Sequence, residues 1–151
     1  MKALTICEPY ASAIMAGIKK VENRDWPTSY RGVLVIHAGK SRAYLDSYDG
    51  RQQEAMEEGG FHFDWTGKLD TTALPFGMIL GTATIVDCIP FAQYEERFPN
   101  DPWAFGEFCW IFENPILLPK PILYKGALGL WTLPDSVQLP QMLSRVERTT
   151  L

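Results

Sequence analysis

Apolar and polar positions change period several times along this chain, and each change marks the edge of an element. Residues 3–6 form a short apolar run that reads as a first strand. Pro9 follows, where proline is tolerated in the first turn of a helix, and Ala11, Ile14 and Met15 recur at three- and four-residue spacing. The spacing predicts a helix over 9–16, ended by Gly17 in a left-handed conformation. From Lys20 the period becomes two, with Lys20, Glu22 and Arg24 on one face of an extended segment and Val21 and Asn23 on the other. Pro27, Thr28 and Ser29 read as a turn, and Gly32–Ala38 (GVLVIHA) is an almost unbroken apolar run suited to a core strand.

Residues 42–58 carry a weak helical pattern stopped by Gly59 and Gly60. Residues 59–75 read as a loop in which Phe61, Phe63 and Trp65 alternate with His62 and Asp64, a pattern that fits either a short strand or a lid. Residues 78–89 are β-branched and apolar enough for a long strand, with Gly81 marking a bulge of the kind that curls a sheet. Helical spacing over 91–98, strands at 108–112 and 116–118 separated by Glu113-Asn114-Pro115, and a last strand at 128–133 complete the pattern. Five or six strands with short helices in the connections, no β-α-β rhythm and no internal repeat point to a mainly β, α+β fold. The architecture expected is a small, partly open β-barrel with helices packed at its mouth. Residues 1–134 make one domain and 135–151 a polar tail.

Composition changes this picture little. A chain of 151 residues with 46% hydrophobic and 21% charged residues is of ordinary globular make-up and buries about 70% of its unfolded surface on folding. No apolar run approaches the ~20 residues that span a bilayer, and Glu8 and Pro9 interrupt the first apolar stretch, unlike a signal peptide. A cytoplasmic protein with no membrane partner is expected. Cys7, Cys88 and Cys109 lie far apart in apolar contexts and read as buried, reduced thiols. With only His37 and His62 to join them and no paired ligand spacing, no metal and no cofactor are expected.

Charge changes it more. Residues 1–42 carry seven Lys/Arg against three Asp/Glu, a balance of +4, whereas the whole chain has a net charge of −4. Six of those cations (Lys19, Lys20, Arg24, Arg31, Lys40 and Arg42) fall between Gly17 and Arg42 with Trp26, Tyr30 and His37 among them. A basic, aromatic-studded patch on an acidic molecule suits an anionic, ring-bearing ligand, meaning a nucleotide or nucleic acid. Net acidity argues against coating long nucleic acid, which needs many phosphate contacts, but not against a pocket for one nucleotide or one base.

At this point the residues resemble a known family. EPYASAIMAGIKKVENRDW is similar to the opening of ASCH domains, in which a Q/E-P-W/Y-A-S segment leads a helix into G-x-K-x-x-E-x-R, here Gly17, Lys19, Glu22 and Arg24. Tyr30-Arg31-Gly32, Ile36-His37-Ala38, GTATIVDC at 81–88 and GLWTLP at 129–134 look like later strands of the family, so the resemblance covers most of 4–134. It implies a PUA-like β-barrel with a cleft lined by the G-x-K-x-x-E-x-R residues and a role with RNA or nucleotides. Some bacterial relatives hydrolyse N4-acetylcytidine and others are described as ribonucleases. Of the amidohydrolase's catalytic residues, the Lys matches Lys19, Glu22 stands where the Thr would be, and the later Glu has four possible counterparts in Glu95, Glu96, Asp101 and Glu107. Glu22 lacks a nucleophilic hydroxyl, so it serves as a base or as a partner to a donor.

Two readings of the patch therefore stand. In the first the chain is an RNA- or nucleotide-binding module whose ligand contacts come from Lys19, Glu22, Arg24, Trp26, Tyr30, Arg31, His37 and Lys40. In the second it is a hydrolase of N4-acylated cytidine or of RNA that uses Lys19 and Glu22 catalytically. Each residue has a plainer role as well: Lys19, Glu22 and Arg24 as an ion pair at a strand edge, Trp26 and Tyr30 as caps of the barrel, Arg31 and Lys40 as solvated surface cations, and His37 as a satisfied structural histidine. Asp87, inside an apolar strand, needs a donor, most simply Arg24 or a backbone amide.

Overall fold

The computed structural model describes residues 1–139. In chain order the elements are β1 (Lys2–Ile6), α1 (Tyr10–Met15), β2 (Val21–Arg24), β3 (Gly32–Ala38), α2 (Gly50–Glu58), β4 (Met78–Pro90), α3 (Phe91–Arg97), β5 (Phe108–Leu123) and β6 (Leu130–Thr132). The six strands form one curled half-barrel sheet in the order β2-β5-β4-β3-β1-β6, the PUA-like arrangement. Only β1 and β3 run parallel, and α1 and β2 lie in the crossover between them.

Continuous apolar strands arise here because both faces of the sheet are covered. Leu34 and Ile36 of β3 join Leu4, Ile6, Leu80, Trp110 and Phe112 under α1, which buries Ala11, Ile14 and Met15 against them. Val35 faces the opposite way and packs with Ala3, Ile79, Leu118 and Leu133. At the β2 end, Val21, Cys109 and Ile111 meet Met56, Ile89, Tyr94 and Trp103 in a third cluster.

The curl has an identifiable cause. Register shifts interrupt the β3–β4 pairing between Ile36 and His37 and the β4–β5 pairing at three places, one of them between Ile79 and Gly81. Gly81 is thus the bulge position expected, and it has no alternative side chain: a Cβ there would lie 2.0 Å from the Ile116 carbonyl oxygen.

At β5 and α2 the elements differ from the sequence expectation. The strands at 108–112 and 116–118 are one strand, β5. Between Thr82 and Thr84 of β4 the partners on β5 move from Ile116 to Glu113, so the extra β5 residue bulges at Asn114 (φ 53°) without ending the ladder. The helix expected over 42–58 begins only at Gly50, because Asp49 and Gln52 form a capping box that fixes its start. In the loop at 59–75, a single bridge pairs Phe63 with Leu69, and Phe61 and Phe63 pack on the third cluster. Of the polar tail, Val137 and Leu139 pack beside Leu133, and residues 140–151 lie outside those described. Among the described residues no helix is long and apolar enough to cross a membrane.

Candidate functional site

The site begins with the end of α1. Gly17 takes φ 78°, and the amides of Ile18 and Lys19 both donate to the Ala13 carbonyl, so the chain folds back beneath the helix before β2 starts. This turn carries Lys19 inward, where it is only 2% exposed. Its Nζ donates to the Val21 carbonyl and, at 3.0 Å, to Oε1 of Glu22. Oε2 of Glu22 accepts from Nη2 of Arg24 at 3.0 Å, and the same Nη2 donates to the Thr5 carbonyl at 2.9 Å. Strand alternation puts Glu22 and Arg24 side by side, as the period of two predicts. A carboxylate is thereby held between two cations, and Arg24 Nε is buried with no hydrogen-bond partner among the described residues.

These groups line a hollow of about 460 Å³, within the range of small-ligand sites. Its aromatic wall is Tyr10, whose ring centroid lies 5.5 Å from Lys19 Nζ and whose hydroxyl donates to the Ser47 carbonyl. Burial, reinforced by the Glu22 carboxylate, pushes the Tyr10 phenol and the Cys7 thiol above their ordinary values. Asn23 ties down the far side, donating to the Trp103 carbonyl and accepting from the Phe105 amide. At the rim Tyr44 and Phe105 are 49% and 53% exposed, so two aromatic faces are left open to a ligand.

The other predicted residues are placed elsewhere. Trp26 packs edge-on against Trp110 at 4.7 Å, and its carbonyl accepts from that indole. The Tyr30 hydroxyl donates to the Val33 carbonyl. Arg31 donates to the Thr28 and Tyr30 carbonyls and pairs with Asp87 at 3.5 Å. Asp87 is partnered by Arg31, Arg97 and the Cys88 amide, not by Arg24. The amide bond, with the two arginines, holds its carboxyl below the usual range. His37 is buried, its Nε2 donating to the Tyr124 carbonyl at 2.6 Å and its Nδ1 3.2 Å from Thr5 Oγ1. With Lys40 it lines a different hollow on the far side of Thr5. All three cysteines are free, but only Cys109 is buried, with its thiol pushed up to about 11; Cys7 and Cys88 are half-buried, contrary to expectation. Among the described residues no cluster of His, Cys, Asp and Glu is arranged to hold a metal ion.

Seven of the residues lining the first hollow were not singled out as site residues by sequence reasoning: Thr5, Cys7, Tyr10, Asn23, Tyr44, Ser47 and Phe105. Tyr10 lies within the recognisable EPYAS segment, and Asn23 alternates with Glu22 and Arg24, so both carried a signal. Tyr44 and Phe105 belong to loops and had none.

A profile of the ASCH domain family matches residues 4–121. Over 135 residues the chain is 28% identical to activating signal cointegrator 1 of Mus musculus and 27% identical to that of Homo sapiens. These alignments cover 89% of this chain but 22% of each relative, so the chain spans about a fifth of the length of those proteins. Among solved structures it is similar to ASCH from Zymomonas mobilis, with a TM-score of 0.54 and 13% identity over 89% of this chain and 88% of that one. A substituted variant of the same protein matches with a TM-score of 0.51 at 14% identity and the same coverage. At such identity the likeness speaks for the fold, and the matched profile speaks for the sequence: the chain belongs to the ASCH domain family.

Proposed function

We propose that this chain is an RNA-binding ASCH domain whose hollow between α1 and β2 seats one nucleobase or nucleotide. The observation that carries the reading is Arg24, which lines the hollow with its side chain 22% exposed and, among the described residues, only Nη2 engaged, next to a carboxylate held in place on both sides. A guanidinium with donors to spare meets a base edge or a phosphate in charge-assisted hydrogen bonds. The open faces of Tyr44 and Phe105 offer stacking, worth about 1–3 kcal/mol per base. In this reading Lys19, Glu22 and Arg24 form the binding set, while Trp26, Tyr30 and Arg31 brace the strands behind it. The experiment is a titration with the four ribonucleoside monophosphates by calorimetry. Arg24→Ala weakens the tightest of them at least tenfold, and Tyr44→Ala and Phe105→Ala each weaken it by a similar factor. Unchanged affinity in all three variants overturns the reading.

Hydrolysis is the second reading, favoured by the buried Lys19–Glu22 pair at the edge of the same hollow. Binding is preferred because both Glu22 oxygens are already engaged as acceptors and Lys19 Nζ is committed to Val21 and Glu22. At Lys19 and Glu22 a proton is taken from water only at the expense of the ion pairs they already make.

A further inference from the structure

We infer that the ligand is a strand, not a free nucleotide: the hollow on the far side of Thr5 receives the nucleotide next to the one in the first hollow. This rests on the reading of the first hollow given above and adds a second binding site to it.

Thr5 is the wall common to both hollows. Its carbonyl accepts from Arg24 in the first, while its hydroxyl accepts from the Trp131 indole at 3.1 Å and lies 3.2 Å from Nδ1 of His37 in the second. A ligand long enough to cross this one residue occupies both. The second hollow is the larger, at about 750 Å³, and lies between the ends of β1 and β3 and the segment after β5. That segment can approach so closely because residue 126 is glycine: a Cβ there would sit 2.5 Å from Thr5 Oγ1 and 2.7 Å from the His37 ring.

The chemistry of the lining suits one more nucleotide. Lys40 and Lys125 are its only charged residues, with no carboxylate among them, in a chain whose net charge is −4. Neither lysine has an ion-pair partner among the described residues, whereas Arg31, Arg51 and Arg97 are each paired with an aspartate. Two lysines that line one hollow and have no ion-pair partner among the described residues are suited to phosphate. Beside them Leu128 is 98% exposed, and the Tyr124 ring lies parallel to Trp131 at 5.7 Å, an apolar and aromatic surface for a base. His37, with both ring nitrogens engaged, holds the Tyr124 carbonyl and the Thr5 hydroxyl in place between the two hollows.

The test compares the four ribonucleoside monophosphates with the matching homotrinucleotides, by calorimetry at several salt concentrations. The best trinucleotide is expected to bind at least tenfold tighter than its monophosphate. The double variant Lys40→Ala, Lys125→Ala brings that ratio close to one and flattens the trinucleotide's log K against log salt slope by about 1.4, or ~0.7 per lost phosphate contact. Lys40→Arg, Lys125→Arg retains the gain. Equal affinity for monophosphate and trinucleotide overturns the inference while leaving the first hollow's function intact. So does a trinucleotide gain untouched by the double alanine variant, or the same gain from inorganic tripolyphosphate, which needs an anion site only. If neither monophosphates nor trinucleotides bind, this inference falls together with the proposed function.

Discussion

Lys19 and Glu22 stand on different elements, one in the turn after α1 and the other on β2, yet Nζ and Oε1 meet at 3.0 Å with the two side chains only 2% and 10% exposed. A pair so little exposed persists because each charge offsets part of the desolvation penalty of the other, and Arg24 completes the neutralisation on the second carboxylate oxygen. The motif G-x-K-x-x-E-x-R thus serves the fold itself: the glycine turns the chain, and the ion pair fastens α1 to the sheet edge.

Removing one partner from this arrangement exposes its cost. Lys19→Ala leaves Glu22 buried with Arg24 alone and is expected to destabilise the fold by about 3 kcal/mol. The double variant Lys19→Met, Glu22→Met, which buries no unpaired carboxylate, is expected to recover part of that loss. Urea denaturation midpoints at constant m-value measure both, and a single variant as stable as the parent shows that the pair is not fastening the helix.

Glu8 provides a pH signature independent of the site. It is fully buried just before α1 and accepts from the amide and hydroxyl of Ser12, and burial raises its pKa above the ordinary 4.5 despite those bonds. A carboxyl raised in the folded state binds its proton more tightly there than when unfolded. Its contribution is therefore fully present below pH 4.5 and is lost as pH rises through the raised value. Glu8→Gln cannot titrate, so its stability relative to the parent is expected to improve steadily as pH rises from about 4 to 7. Thermal midpoints of the two proteins across that range provide the comparison. Curves that stay parallel contradict the raised value.

Glu22 decides between binding and hydrolysis. With its two oxygens committed, turnover of N4-acetylcytidine is expected to be slow or absent, and Glu22→Thr, which supplies a hydroxyl, is expected to raise it. Chromatographic assay of the nucleoside at fixed protein concentration follows both. Rapid turnover by the parent chain that vanishes in Glu22→Thr would make Glu22 a catalytic group and the hydrolase reading the right one.

The sequence by itself determined the elements whose cause is local. Strand β3 is legible to the residue because GVLVIHA is apolar on both faces, and Gly81 announces its bulge because no other residue fits there. The grouping of Lys19, Glu22 and Arg24 is legible for the same reason, being set by one glycine turn and the alternation of one short strand. Tertiary structure alone decided which residues from further along the chain join them. Eight candidates clustered in sequence divide in space because β3 carries His37 away from β2: the order β2-β5-β4-β3 inserts two strands between them. The aromatic faces at the rim come instead from Tyr44 and Phe105, whose loops are brought together by long-range bonds such as Asn23 to the Phe105 amide and Tyr10 to the Ser47 carbonyl. Loop positions of that kind have no period along the chain, since what places them is the closing of contacts between distant segments and not the repeat of a helix or a strand.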